Sequence, residues 1–365
     1  MRKSFRYLGV PVLLLGMAAV ACSNSADSGD GSGSAGASGA TDTNCPADFK
    51  VGLALDVGGL GDKSFNDAAY AGAQQAVADG LLCQDNLKTV ETNESGSNRD
   101  DNVQALAQAG YQLIIANGYT FSDGVAAIAA DYPDVDFAIT DGYATTLPGG
   151  KGAPNVTDLT FKENESSYLV GIAAAMQAQK LDCKNVGFLG GQTGPLIEKF
   201  QAGYTAGVAS VDPDITVQVE YIGDSVQAYT NPTAGKALSE KMYDGGACVI
   251  YHAAAASGAG LFQAAAERHL YAIGVDSDQY LTAAADQQPY IITSAIKRVD
   301  TTSYNAIKQA GSDTFKSGFQ VFGLVDAGVG FADSNPKLLT PDMVSAMEAA
   351  QAKIISGDIT VPDKP

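Results

Sequence analysis

The residues best suited to chemistry stand where carboxylates and aromatics cluster near glycines. The run Asp56-Val-Gly-Gly-Leu-Gly-Asp-Lys-Ser-Phe-Asn-Asp67 sets three glycines behind an acid, and glycine lets a backbone turn tightly and come close to a ligand. Ser64, with Asp67 three residues on, has the spacing of a capping box that opens a helix. Phe65 and Asn66 then fall in that helix's first turn, at the mouth of any cleft the loop borders. A dinucleotide loop is the competing reading, but G-x-G-x-x-G fails because Gly59 and Gly61 are followed by Ser64. A Walker A phosphate loop fails too, since Gly235-Lys236 runs into Ala237. Further on, Ile273-Gly-Val-Asp-Ser-Asp-Gln279 presents Asp276 inside a turn-forming Asp-Ser-Asp. A buried carboxylate there accepts from two vicinal hydroxyls, as holding a ribose requires. The same residue equally closes an Asx-turn, and the segment alone fits both readings. Lys297 offers a cation to a ligand oxygen or is simply exposed.

Catalytic sets are thin. The chain has two histidines, His252 and His269, and no G-x-S-x-G in its folded part, so a Ser-His-Asp hydrolase lacks its elbow. His269 falls at a predicted helix end, where a cation favours the dipole, and His252 follows a strand, open to a cleft-lining or a packing role. Among 41 acidic residues a pair of carboxylates near a cleft says little for glycosidase chemistry. No cysteine sits in a C-x-x-C pair, which argues against a zinc or redox site. The expectation is a binder, not an enzyme, with no cofactor, no metal and no catalytic residue.

The amino terminus addresses the chain to the exterior. Arg2, Lys3 and Arg6 precede an almost uncharged apolar run from Tyr7 to Val20 that ends in Ala19-Val20-Ala21-Cys22. That is the pattern of a secretory signal peptide, residues 1–21, too short and wrongly flanked to span a membrane. A cysteine directly after small residues resembles a lipobox, with Ala19 where leucine is usual, so Cys22 is expected to carry a lipid. Ser23 to Thr43 holds only Ser, Gly, Ala, Asp, Asn and Thr, a composition that cannot bury enough surface to order itself, hence a tether over 22–43. The net charge of −19 argues against nucleic-acid partners, which need basic patches. The expected location is therefore the outer face of the cell membrane, held there through the lipid alone.

The remaining ~320 residues exceed one hydrophobic core, so two lobes are expected. Short apolar runs at Val51–Leu55, Leu113–Ala116, Phe137–Thr140, Val186–Leu189, Ile215–Tyr221, Cys248–Tyr251 and Tyr271–Val275 alternate with Ala-rich helical stretches, for example Asp67–Ala78, Ser166–Gln179 and Gly258–Arg268. That alternation predicts βαβ units and parallel sheets covered on both faces, an α/β class. The order repeats: Cys45, strand, glycine loop, Phe65 and Tyr70-Ala-Gly72 are echoed by Cys183, strand, Gly190-Gly191, Phe200 and Tyr204-Thr-Ala-Gly207. Two doubly wound lobes facing a cleft follow, one over 44–160 and about 295–325, the other over 161–294 and about 326–365. Runs at Tyr290–Ile296 and Val321–Val325 are read as crossing back between them. Ligands bind beyond the carboxyl ends of parallel strands, which selects Asp56, Asn117–Tyr119, Asp141, Gly190–Gly194, Gly223–Tyr229, His252–Gly260 and Asp276. With Cys22 lipidated, Cys45, Cys83, Cys183 and Cys248 remain, an even number in an oxidising exterior. In a sheet of order 2-1-3 they sit at the amino ends of adjacent strands, which predicts Cys45–Cys83 and Cys183–Cys248.

Six segments, in order and correctly spaced, resemble the basic membrane protein family of bacterial lipoproteins, the purine-nucleoside-binding group of substrate-binding proteins. They are the Asp56–Asn66 loop, Tyr132-Pro-Asp-Val-Asp-Phe-Ala-Ile-Thr-Asp141, Phe161-Lys-Glu-Asn-Glu-Ser, Val186-Gly-Phe-Leu-Gly-Gly, Tyr251-His-Ala-Ala and Ile273-Gly-Val-Asp-Ser-Asp-Gln. The resemblance implies a type I periplasmic-binding fold that closes on a nucleoside, with the purine between two aromatic rings. Phe65 matches the first ring. Tyr229 and Asn231, in Tyr229-Thr-Asn-Pro-Thr-Ala-Gly-Lys236, replace the family's Phe and Asp. Asp56 and Asp141 match its base-contacting carboxylates, Asp276 its ribose carboxylate and Lys297 its nearby lysine. Gly258 stands for its Gly-rich run, which reads Ala253-Ala-Ala-Ala-Ser-Gly258 here. The implied function is capture of a nucleoside for an ABC importer by a monomer that meets its permease. A surface sensor or adhesin on the same fold, a sugar-like ligand, and a nucleoside hydrolase are the other readings.

Overall fold

A computed structural model of the chain describes residues 45–365; the signal segment, Cys22 and the tether lie outside the described residues. The strands are β1 (Val51–Leu55), β2 (Leu87–Glu91), β3 (Leu113–Asn117), β4 (Asp136–Thr140), β5 (Val156–Phe161), β6 (Asn185–Gln192), β7 (Thr216–Gly223), β8 (Ala247–Ala253), β9 (Tyr271–Asp276), β10 (Ile291–Lys297), β11 (Gly318–Phe322) and β12 (Val329–Phe331). The helices are α1 (Phe65–Ala78), α2 (Arg99–Gln108), α3 (Ser122–Ile128), α4 (Glu163–Lys180), α5 (Pro195–Val211), α6 (Pro232–Asp244), α7 (Gly258–Arg268), α8 (Gln279–Thr282), α9 (Val299–Ala310) and α10 (Pro341–Ser356).

Two sheets result, ordered β11-β5-β4-β3-β1-β2 and β12-β10-β9-β8-β6-β7. The first is parallel throughout; in the second only β12 runs antiparallel, against β10. Strands such as β1, β3 and β8 are buried at every residue, as expected when helices cover both faces of a parallel sheet. The sheets share the same strand order, 2-1-3-4-5 and 7-6-8-9-10, so the internal echo in the sequence is a structural repeat. Its helical glycines serve one purpose: a Cβ at Gly72 would lie 2.0 Å from the Asp300 carbonyl oxygen on α9, and one at Gly207 2.1 Å from that of Tyr168 on α4. Each glycine lets two helices of its lobe pack at backbone distance.

The chain passes between the lobes after Phe161, after Lys297 and between Phe322 and Val329. The Tyr290–Ile296 run therefore does not itself cross back: β10 completes the second sheet, and the return falls in α9, which packs on α1. Disulfides join Cys45 to Cys83 and Cys183 to Cys248, with Cα separations of 5.2 and 6.5 Å. Each ties two adjacent strands at the end away from the cleft; Cys248 lies inside β8, not ahead of it. Among the described residues no helix is long and apolar enough to cross a membrane.

Candidate ligand-binding site

Between the lobes lies a cavity that opens to solvent, walled by strand-end loops of both sheets. Asp56, Phe65, Asn66, Asp141, Tyr229, Asp276 and Lys297 all line it; Gly258 does not. Gly258 instead starts α7 against the His252 ring, where a Cβ would lie 2.0 Å from Cε1.

The glycine loop is built by an acid the sequence reading passed over. Asp62 accepts the backbone N–H groups of Ser64, Asn66 and Asp67 at 2.9, 2.8 and 3.1 Å, satisfying the free donors of the first turn of α1. Asp67 in turn accepts from the N–H groups of Gly61 and Lys63. Ser64 is thus not a side-chain cap. Its hydroxyl crosses the cleft and donates to Asp276 Oδ2 at 2.5 Å, because an ionised acceptor attracts it more strongly than a neutral amide environment.

Asp56, the last residue before the loop, is held within its own lobe. Arg99 Nη2 pairs with its Oδ1 at 2.7 Å, and the Thr120 hydroxyl donates to Oδ2 at 2.5 Å. Arg99 itself stacks over Phe121, 5.5 Å from the ring centroid. Asn66 is oriented as firmly: its Oδ1 accepts from the Asp56 N–H and from Asn117 Nδ2, at 3.2 and 3.1 Å. That leaves its amide NH₂ as the end not committed to those bonds.

The other end of the cavity is a buried charge network. Lys297 Nζ lies 2.7 Å from Asp141 Oδ2 and 3.1 Å from Glu163 Oε1, and 5.0–5.7 Å from the ring centroids of Phe161, Phe65 and Phe200. Its side chain is 3 % exposed, so the exposed-lysine reading is replaced by a central one. Burial works against the ammonium charge, yet Asp141, Glu163 and Asp276 outweigh it and raise the Lys297 pKa. Burial raises Asp141, against the pull of Lys297, as three acids share one buried ammonium. Asp276, the final residue of β9, is pushed up to about 6, by burial first, with Lys297 and Ser64 opposing. It adopts φ 62°, as Asp141 adopts φ 59°; both acids end a strand in the left-handed region, turned to the cleft. Asp141 Oδ1 has no hydrogen-bond partner. A buried acceptor left open beside a cavity is suited to a donor brought by a ligand.

His252 is fully buried, its Nε2 bonded to Gln279 Oε1 at 2.9 Å and its ring edge-on to Phe262. Burial lowers its pKa to about 4, so it is a neutral packing residue. His269 caps α7 through a left-handed backbone and bonds Tyr290. Among the described residues no group of histidine, cysteine and acidic side chains is arranged to hold a metal.

Residues 49–365 match the model of the Bmp family, described as ABC transporter substrate-binding protein, PnrA-like. The chain is 31% identical over 369 residues to the ABC transporter nucleoside-binding protein BmpA of Lactococcus lactis, covering 97% of this chain and 99% of that protein. It is 31% identical to a CD4+ T-cell-stimulating antigen of Listeria innocua, over 97% of each. Among solved structures it is similar to an ABC transporter solute-binding protein from Aeropyrum pernix K1, with a TM-score of 0.73 and 27% identity over 86% of this chain and 94% of that one. The two-lobed architecture is thus the type I periplasmic-binding fold.

Proposed function

The chain belongs to the Bmp family of PnrA-like ABC transporter substrate-binding proteins, and from that premise we propose that its ligand is a purine nucleoside. The observation that carries this is the make-up of one cavity: two aromatic rings, Phe65 and Tyr229, from opposite lobes, with Asp56 at one end and Asp141, Asp276 and Lys297 at the other. Aromatic faces suit a base, whose stacking on a ring is worth about 1–3 kcal/mol. An acid such as Asp276 suits vicinal ribose hydroxyls, through charge-assisted hydrogen bonds. Two stacking contacts and a few such bonds support roughly micromolar or tighter affinity. The exported chain, anchored by a lipid on Cys22, would hand the nucleoside to its permease as a monomer, closing its lobes on the ligand. The BmpA name of the Lactococcus relative points the same way.

Calorimetric titration with a panel of purine and pyrimidine nucleosides, ribose and hexoses tests the proposal. The expected result is saturable binding of purine nucleosides at micromolar concentration or below, with the sugars at least a hundredfold weaker. Sugar binding without nucleoside binding would overturn it.

A further inference from the structure

Tyr229 stands where the family resemblance leads to expect phenylalanine, and it packs beside the end of β6, whose last residue is Gln192. The ring lies flat on the preceding residue, where a Cβ at Gly191 would meet Tyr229 Cε1 at 2.4 Å. The Gln192 side chain is committed as well. Its Nε2 donates to the Asp224 carbonyl at 3.2 Å, which fixes the amide orientation, and its Oε1 accepts the Tyr119 hydroxyl at 2.8 Å. Tyr119 follows β3 in the first lobe and lines the cavity; Gln192 belongs to the second. The Gly191-Gln192 pair therefore meets a tyrosine from each lobe, Tyr229 by packing on Gly191 and Tyr119 by a hydrogen bond to the Gln192 side chain.

We propose that Gln192 is a positioning residue: it sets the Tyr229 wall and latches it to the first lobe through Tyr119. Tyr119 and Gln192 belong to different lobes, so separating the lobes breaks the bond and closing them re-forms it. Tyr229 meets the ligand in its stacking position only when Gln192 is in place. The latch adds to the lifetime of the closed state more than to the rate of encounter, since affinity differences among variants of one interface fall mostly in the dissociation rate. This inference rests on the nucleoside reading for its ligand and on geometry alone for its latch.

The experiment uses Gln192→Leu, Tyr119→Phe, their double variant and Gln192→Glu, with inosine and adenosine as probes in stopped-flow fluorescence. Each of the first two is expected to raise the dissociation rate about five- to twentyfold and leave the association rate within about threefold. The double variant is expected to match the worse single variant, because both remove the same bond. Gln192→Glu keeps an acceptor for the Tyr119 hydroxyl but loses the donor that meets the Asp224 carbonyl, and is expected to raise the dissociation rate less than Gln192→Leu does. Additive effects in the double variant, or unchanged dissociation in Gln192→Leu, overturn the proposal. Small-angle scattering of the same proteins without nucleoside reads lobe separation directly: Gln192→Leu and Tyr119→Phe are expected to shift towards the open form, and Gln192→Glu by less than either. If wild type binds neither probe but the scattering shifts as expected, the nucleoside reading fails and the latch stands. If scattering and rates are both unmoved, the latch fails.

Discussion

The two ends of the cavity solve the placement of a carboxylate differently. Asp56 takes its partners, Arg99 and Thr120, from its own lobe. Asp141 and Asp276 take theirs from the opposite one: Lys297 at the end of β10 pairs with Asp141 of the first lobe, and Ser64 of the first lobe reaches Asp276 of the second. The first arrangement lies within one lobe; the second joins the two lobes. On the proposed function, one end would offer an acceptor held by its own lobe, and the other an acceptor held across the two lobes. Exposure follows the same division: the Asp56 side chain is 16 % exposed, that of Asp141 4 %.

Breaking the end that joins the lobes is expected to cost most. Lys297→Met leaves Asp141 buried without its ion-pair partner, while Glu163 keeps only the longer contact to Lys199 at 3.4 Å, and losing one partner of a buried pair costs about 3–5 kcal/mol. Urea unfolding checks this, and adding Asp141→Asn is expected to recover part of the loss because one uncompensated charge is gone. The aromatic walls come next. Phe65→Ala or Tyr229→Ala is expected to weaken a purine nucleoside by about 1–3 kcal/mol without altering the weak binding of free ribose, as calorimetry measures.

A pH series separates the two ends further. Asp276 titrates at about 6 in the folded protein, above its ordinary value of 3.8. Its ionised form is disfavoured by burial, so from this group alone the free protein gains stability as pH falls through 6 towards 4. Ligand binding runs the other way. Ribose hydroxyls donate best to the ionised carboxylate, so affinity is fully present well above pH 6 and is expected to fall by up to about tenfold between pH 7.5 and pH 5. Asp276→Asn is expected to flatten that profile. Arg99→Lys should have the smallest effect, under about 1 kcal/mol, because the ion pair with Asp56 survives while its planar fork does not.

Much of this was legible in the residues and some was not, for physical reasons. Fully buried parallel strands such as Leu113–Asn117 announce themselves as apolar runs, and the rule that ligands lie beyond strand ends led to Asp56, Asp141 and Asp276. β2 was missed because Leu87-Lys-Thr-Val-Glu91 is a half-buried edge strand with no apolar run. β5 was missed because Val156-Thr-Asp-Leu-Thr-Phe161 buries polar residues. Asp158 is tolerated there by accepting two N–H groups and a hydroxyl from Ala144 and Thr145. Arg99 sits in a polar stretch, 43 positions from the acid it serves, and no spacing signals such a pair. Gln192 falls inside the selected Gly190–Gly194 loop, but no spacing signals its partners Tyr119 and Asp224, which come from two other loops. Ser64 was misread because the capping pattern fits its neighbours, while the acid that takes its hydroxyl belongs to the other lobe.

The central claim is that the cavity holds a nucleoside with its ribose on Asp276. Titrating wild type and Asp276→Ala with inosine and with 2′,3′-dideoxyinosine forms a cycle that isolates this one interaction. The account predicts that removing the hydroxyls from the ligand costs wild type about 2 kcal/mol or more, as the loss of hydrogen bonds to a charged group does, and costs Asp276→Ala almost nothing. Equal losses in the two proteins would contradict it.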